Sequence, residues 1–371
     1  MARRGVLAAG IGAALLGGAA VGYAAERAIV RGRLVPDLPP SETPLGSIGG
    51  DPSTVAGPDG IDVAVESYGP PDAPQLVLAH GWVCTGRAWH EVVRQLQGRY
   101  RIVTFDLPGH GRSGAPASHR YDLDLLGDTL AAVIDTATRP GPLVVVGHSL
   151  GGMSVLNAVR RHRRITERLR GAVLLSTTSS AKGGRSEDGE RLGMELGIRA
   201  VARLDRGIRR VVPTLRHPRV TSAADRLTAS TSDLSYLLAR WTGVGPDADP
   251  EVVAFTRHMA MHSGTDVVFG LIDAVLGVDE DGGLDALAEV PTTLLVGTHD
   301  RLTPLALSQR MADRSHARLR ILDDVGHMSL LEAGDAVVEV VAEHLEERVR
   351  SDEDSQPTHA HADGAPAAAD A

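Results

Sequence analysis

Short apolar runs alternate with helix-like stretches between about residue 53 and residue 348. The runs consist largely of Val, Leu and Ile, as is typical of strands buried on both faces of a sheet. They cover residues 61–67, 75–79, 102–105, 143–146, 172–175, 293–296 and 319–322. Helical patterns lie between most of them, at 87–96, 122–136, 153–161, 304–313 and 335–348. This alternation predicts an α/β fold, with a mostly parallel central sheet and helices on both faces.

One long stretch interrupts the alternation. From about residue 177 to residue 284 no run fits a strand, whereas helical patterning continues. Plain loops of this length are uncommon in compact domains. We therefore predict a core formed by 53–177 and 285–348, with an inserted helical cap at 178–284 over the carboxyl ends of the strands. Within the cap, 191–219 holds eight arginines and two acidic residues. We interpret it as a solvated face, with a basic helix on an anionic membrane as the alternative.

The two ends of the chain lie outside this pattern. Residues 5–25 carry no charge and follow two arginines, and their length suits a membrane span. We predict that 1–33 is a single N-terminal membrane anchor in the cell envelope, or alternatively an export signal that is cleaved. The Pro- and Gly-rich segment 34–52 is typical of a linker. The acidic, Ala- and Pro-rich segment 349–371 is typical of a disordered tail.

Composition narrows the classes of partner and cofactor. The formal net charge of −9 argues against general affinity for nucleic acid. The single cysteine excludes an internal disulfide and a cysteine-based structural zinc site. We expect neither a metal nor an organic cofactor, and the sequence leaves the oligomeric state open.

The most informative motif stands where the run 143–146 stops. Ser149 lies between Gly147 and Gly151, at the turn from a predicted strand into a predicted helix. Serine is a favoured helix N-cap, but Gly151 and Gly152 in a first helical turn would each cost about 1 kcal/mol relative to alanine. A G-x-S-x-G turn has another explanation: small residues on both sides allow a tight turn that exposes the serine hydroxyl. Ser149 is therefore our candidate nucleophile.

A serine nucleophile needs a base, and the base needs a group that orients it. His327 follows the last predicted strand and precedes the last helix, so it is the candidate base. Asp300 follows the strand at 293–296 and is the candidate acid, because the segment after the strand at 172–175 contains no carboxylate. Leu150 follows the nucleophile, and its backbone N–H would bind an oxyanion. We assign the second oxyanion donor to the backbone N–H of Trp82, after the turn at His80 and Gly81.

These motifs together resemble the α/β-hydrolase family. The matching segments are "HGW" at 80–82, "DLPGHGRS" at 106–113, "GHSLGG" at 147–152, Asp300 and "GHM" at 326–328. The order Ser, Asp, His along the chain is also that of the family. The resemblance covers roughly 53–177 and 285–348, and it implies that 106–113 is mainly a structural turn.

The resemblance and the candidate triad imply a serine hydrolase that cleaves carboxylic esters through an acyl-enzyme, like an esterase or lipase. Its partners would be a small-molecule or lipid ester and, through the N-terminal segment, a membrane. Cofactor-free haloperoxidases (perhydrolases), thioesterases and lactonases are alternatives with the same triad. A non-catalytic binding protein on this fold is a third possibility, which the complete candidate triad disfavours.

Overall fold

One eight-stranded sheet forms the centre of the computed structural model, which describes residues 43–181 and 239–354. The strands in chain order are β1 Asp51–Ala56, β2 Asp62–Tyr68, β3 Gln75–Ala79, β4 Arg101–Phe105, β5 Leu143–His148, β6 Leu169–Leu175, β7 Thr292–Gly297 and β8 Arg318–Leu322. Their order across the sheet is β1-β2-β4-β3-β5-β6-β7-β8. Strand β2 pairs antiparallel with β1 and β4, and the neighbours from β4 to β8 pair parallel. This confirms the predicted fold class.

The apolar runs become central strands because both faces of the sheet are covered. Successive side chains of a strand point to opposite faces. In β5, Val145 therefore packs into one apolar cluster, while Val144 and Val146 pack into the other. All three are at most 1% exposed. Burying each of them stabilises the fold by roughly 1.5–3 kcal/mol.

Helices supply both covering layers. In chain order they are α1 His90–Leu96, α2 Leu123–Ala137, α3 Leu150–Arg161, α4 Arg163–Arg168, α5 Pro250–His262, α6 Thr265–Gly270, α7 Ile272–Leu276, α8 Asp281–Ala286, α9 Leu305–Ser315, α10 Ser329–Glu332 and α11 Gly334–Asp354. Apolar residues of α2, α3, α8 and α9 belong to one cluster. Those of α1, α5, α10 and α11 belong to the other. The helices cover the two faces of the sheet, and the loops that follow the parallel strands lie at the carboxyl ends of those strands.

Helix α2 shows how local sequence sets an element's boundary. The side chain of Asp122 accepts a hydrogen bond from the backbone N–H of Leu125 at 2.9 Å. The first N–H groups of a helix have no intrahelical acceptor, and an aspartate at the N-cap supplies one. The helix predicted at 122–136 accordingly begins one residue after Asp122.

The structure differs from the predictions at two boundaries. Strand β1 starts at Asp51, inside the segment 34–52 assigned to a linker. It lies at the sheet edge with five of its six residues exposed, so it has no apolar run to reveal it. Helix α11 continues to Asp354, past the predicted start of the tail at 349.

Several predicted segments lie outside the described residues. These are the N-terminal segment 1–33, residues 34–42 of the linker, residues 182–238 of the cap with the arginine-rich stretch 191–219, and residues 355–371. The described part of the cap contains helices α5, α6, α7 and most of α8. Across 43–181 and 239–354, no single helix is long and apolar enough to span a membrane. One pair bent by 89°, Pro250–His262 with Asp266–Leu276, meets the length and composition requirement only when taken together.

Candidate active site

Ser149 occupies a strained turn between β5 and α3. Its backbone angles are φ 51° and ψ −117°, a conformation that costs a residue with a side chain on the order of 1–3 kcal/mol. Hydrogen bonds at both ends of the residue hold it there. The Ser149 N–H donates to the carbonyl of Leu175 at 2.9 Å, and the Thr177 hydroxyl donates to the Ser149 carbonyl at 2.7 Å. The serine is thus fixed on rigid elements at the carboxyl end of the sheet.

Close backbone approaches explain the glycines around this serine. A Cβ on Gly151 would lie 2.2 Å from the carbonyl oxygen of Ala79 in strand β3. A Cβ on Gly147 would lie 2.7 Å from backbone atoms of Gly151 and Gly152. Neither distance leaves room for a methyl group, because both neighbours are main chain. Packing against strand and helix backbones therefore requires glycine here.

The structure brings Ser149, His327 and Asp300 into one hydrogen-bonded chain. Nε2 of His327 lies 3.0 Å from the Ser149 Oγ. Nδ1 of the same ring lies 3.0 Å from each carboxylate oxygen of Asp300. His327 is 6% exposed and Asp300 4% exposed, so the imidazole and the carboxylate are shielded from water. With the Nδ1 proton donated to the carboxylate, the Nε2 lone pair faces the serine hydroxyl.

Asp300 is held as an anion after strand β7. Burial opposes its ionisation, but the nearby His327 and hydrogen bonds from His327 and Thr303 outweigh burial and keep the Asp300 pKa below its usual range. Its Oδ1 accepts the backbone N–H groups of Leu302 and Thr303 at 2.9 and 2.8 Å, and its Oδ2 accepts the Thr303 hydroxyl at 2.8 Å. The carboxylate is therefore fixed in orientation as well as in charge.

The two candidate oxyanion donors lie on segments that meet at Ser149. Leu150 is the first residue of α3, where a backbone N–H has no intrahelical acceptor. Gly81 precedes Trp82, and a Cβ on Gly81 would lie 3.2 Å from the Ser149 Cβ. The loop after β3 thus runs directly beside the serine. The assignment of the Leu150 and Trp82 backbone N–H groups as oxyanion donors stays a prediction.

Two buried histidines hold that loop. The His80 Nε2 accepts the backbone N–H of Leu107 at 2.9 Å, and the His110 Nε2 accepts that of Val83 at 3.3 Å. Val83 has φ 54°, an uncommon conformation for a β-branched residue. Burial lowers the pKa of His80 to about 4, and burial with the nearby His80 lowers that of His110 to about 3. Both therefore act as neutral hydrogen-bonding groups.

His148, beside the candidate nucleophile, points away from the serine hydroxyl. Its Nε2 lies 2.9 Å from the carbonyl oxygen of His327, to which it donates. Burial and the neighbouring His327 lower the His148 pKa to about 3. His148 thus tethers the loop that carries the candidate base. His299, the other histidine near Asp300, lies 3.7 Å from Asp324 instead.

Sequence reasoning missed several residues that shape the site. Thr303 orients Asp300, and its position three residues later is a local signal of side-chain to backbone bonding. Thr177 and Glu332 reach the Ser149 and His327 segments from other elements. No local pattern marks Thr177, whose partner Ser149 lies 28 residues away, or the bond from Gly245 to Glu332, which spans 87 residues. Among the described residues, no three His, Cys, Asp or Glu side chains converge in a way that could hold a metal ion.

Comparison with known proteins identifies the family of this chain. The profile of the alpha/beta hydrolase family matches residues 76–340. The chain belongs to the alpha/beta hydrolase family.

Individual proteins show the same relationship. The chain is 29% identical over 290 residues to a pimeloyl-[acyl-carrier protein] methyl ester esterase of Chromobacterium violaceum. The aligned residues make up 77% of this chain and 99% of that protein. It is 36% identical over 105 residues to a bifunctional esterase/perhydrolase of Acinetobacter calcoaceticus, covering 28% of this chain and 37% of that one. The structure of a thermophilic esterase from Thermogutta terrifontis superposes with a TM-score of 0.60 at 20% identity, over 80% of this chain and 98% of that one.

Proposed function

We propose that this protein is a serine hydrolase that cleaves carboxylic esters through an acyl-enzyme. The observation that carries the proposal is the chain from Asp300 through His327 to Ser149, with 3.0 Å at each step. A serine hydroxyl is a weak nucleophile until a base within hydrogen-bond distance can take its proton. The esterase names of the relatives support the same reaction class.

Acylation follows from this arrangement. As the Ser149 Oγ attacks the ester carbonyl carbon, the His327 Nε2 takes the hydroxyl proton and the carbonyl oxygen becomes an oxyanion. The backbone N–H groups of Leu150 and Trp82 stabilise that oxyanion, and each such donor contributes about 3–4 kcal/mol to lowering the barrier. The protonated Nε2 then gives its proton to the departing alkoxide. An alcohol leaves, and the acyl group remains on Ser149.

Deacylation repeats these steps with water. His327 takes a proton from the water that attacks the acyl carbon, and returns it to the Ser149 Oγ as the acid leaves. Asp300 stays ionised throughout. It keeps the Nδ1 proton of His327 in place and stabilises the imidazolium that forms twice in the cycle.

A perhydrolase is the second candidate, favoured by the likeness to the bifunctional esterase/perhydrolase of Acinetobacter calcoaceticus. Hydrogen peroxide would replace water as the attacking molecule. His327 would take the peroxide proton, and a peracid would leave with the serine hydroxyl restored. The triad is the same, so only the choice of the second nucleophile separates the two functions.

A fluorophosphonate probe tests the proposal. We expect labelling of the wild type and none of Ser149→Ala. Ser154→Ala is the matched control, because Ser154 lies on the same helix and donates to the Leu150 carbonyl at 2.7 Å. It should label as the wild type does. A folded wild type that does not label would refute an activated serine and favour a binding protein. Rates on esters of increasing acyl length, with and without peroxide, then separate esterase, lipase and perhydrolase.

We propose, in addition, that residues 1–33 attach the enzyme to a membrane of the cell envelope. The support is the uncharged segment 5–25 behind two arginines, together with its length. We expect the full chain to stay with membranes during alkaline carbonate extraction, and its N-terminus to be intact. An N-terminus that starts after this segment would favour the export signal instead.

A further inference from the structure

Three backbone groups around the His327 side chain are bound by other parts of the fold. The N–H of Gly326 donates to the Glu332 carboxylate at 3.1 Å. The carbonyl of His327 accepts from His148, and the N–H of Met328 donates to the carbonyl of Gly243 at 2.8 Å. The orientation of the candidate base is therefore set partly from outside its own loop, in part by the cap residue Gly243.

Glu332 joins the cap to this loop through a single atom. Its Oε2, at the end of α10, accepts the N–H of Gly245 at 2.6 Å as well as that of Gly326. We call Gly243–Gly245 the cap-return segment. It is linked to the residues on both sides of His327. After His327, the Met328 N–H donates directly to the Gly243 carbonyl; before it, Gly326 and Gly245 both donate to the Glu332 Oε2.

The backbones of the two segments touch without intervening side chains. A Cβ on Gly326 would lie 2.3 Å from the carbonyl carbon of Val244. A Cβ on Gly245 would lie 2.0 Å from the carbonyl oxygen of Asp324. Packed main-chain atoms cannot be compressed, so a shift of the cap-return segment must displace the His327 loop as well.

Stability alone is a poor explanation for an acidic side chain at this position. Burial raises the Glu332 pKa despite the amide donors of Gly245 and Gly326. Its Oε1 is buried and has no hydrogen-bond partner among the described residues. Burying an incompletely paired carboxylate costs free energy. What the carboxylate provides in return is an acceptor that two segments share.

We propose that Glu332 is a positioning residue for His327, and that it makes the cap-return segment part of the support of the catalytic base. The inference rests on the proposed function, because it assigns Glu332 a role in the reaction of Ser149. Displacement of the cap-return segment would then reduce reactivity by moving the imidazole away from the Ser149 hydroxyl.

The test compares three variants of the full chain. Glu332→Ala removes the shared acceptor, whereas Glu332→Gln keeps a carbonyl oxygen that can accept both N–H groups. Glu66→Gln is the matched control, because Glu66 is also a buried carboxylate with two hydrogen-bond partners, Arg112 and Tyr68. Two quantities are measured where all variants are folded by circular dichroism. One is the second-order rate of fluorophosphonate labelling, and the other is hydrogen exchange in peptides covering 323–329 and 243–247.

We expect Glu332→Ala to label at least about tenfold more slowly, given that a misplacement of about 1 Å can cost 10²-fold. Exchange should rise in both peptides. Glu332→Gln should label within about threefold of the wild type, because the hydrogen bonds persist. Glu66→Gln should match the wild type in both measurements.

Two results would overturn the proposal. One is faster exchange in Glu332→Ala with an unchanged labelling rate, which would make Glu332 merely structural. The other is Glu332→Gln labelling as slowly as Glu332→Ala, which would make charge rather than hydrogen bonding decisive. Failure of the wild type to label would refute the proposed function instead. The exchange data would then still decide whether Glu332 joins the two segments.

Discussion

Acid should destabilise this protein steeply, because three buried histidines are neutral in the fold. His80, His110 and His148 are each at most 1% exposed. Their pKa values fall from the ordinary 6.5 to about 4, about 3 and about 3, chiefly through burial. When the chain unfolds below pH 6.5, each imidazole becomes free to take up a proton that the folded state excludes.

The size of the effect follows from linkage between protonation and folding. The pKa of each histidine is lower in the folded than in the unfolded state. The free energy of unfolding therefore has its full value above pH 6.5 and decreases as the pH falls towards 4 and then 3. At about pH 5 the loss is roughly 2 kcal/mol per histidine, or about 6 kcal/mol in total. Domains of this kind are stable by about 5–15 kcal/mol, so a large share of the stability should be gone.

The loss of stability is measured by urea unfolding, followed by circular dichroism, at a series of pH values from about 8 to about 5. The slope of the unfolding free energy near pH 5 should correspond to at least about three protons taken up on unfolding. Glutamine at each of the three positions should reduce that number by one, because all three histidines use Nε2 for their distant hydrogen bond and a glutamine amide can replace it. His316→Asn, at an exposed position, is the control. Uptake of about one proton or fewer would refute the reasoning, since the buried histidines would then be charged in the fold.

Three further substitutions have defined outcomes. Gly151→Ala should lower the free energy of unfolding by about 3 kcal/mol or more in urea, because its Cβ would lie 2.2 Å from the Ala79 carbonyl oxygen. Gly98→Ala should leave the free energy of unfolding unchanged, because nothing lies within 4 Å of the added Cβ. Equal destabilisation by the two substitutions would contradict the packing argument. Asp300→Asn should reduce kcat on an ester about 10⁴-fold by placing the Nδ1 proton of His327 incorrectly, and a loss below tenfold would argue against its role. Thr303→Val should reduce kcat about tenfold while Thr303→Ser retains it, since valine lacks the hydroxyl that donates to the Asp300 Oδ2.

Much of the sheet could be predicted because its signal is local. A strand buried on both faces is an apolar run whatever its neighbours are, so β3, β5 and β7 were predictable within one or two residues. Strand β1 was not, because an exposed edge strand carries no such run. The strand order also required the structure, since pairing depends on contacts between distant segments.

The candidate site, like the sheet, could be predicted in part from the sequence and in part only from the structure. Sequence alone determined that Ser149 stands at a strand-to-helix turn between glycines, and that His327 and Asp300 follow later strands, because adjacent residues carry those requirements. Only the tertiary structure decided that the His327 ring lies 3.0 Å from both the Ser149 hydroxyl and the Asp300 carboxylate. It also revealed Glu332, which accepts a hydrogen bond from Gly245 of the cap. The physical reason is that hydrogen-bond geometry depends on the packing of elements far apart in the chain, and short-range periodicity does not record that packing.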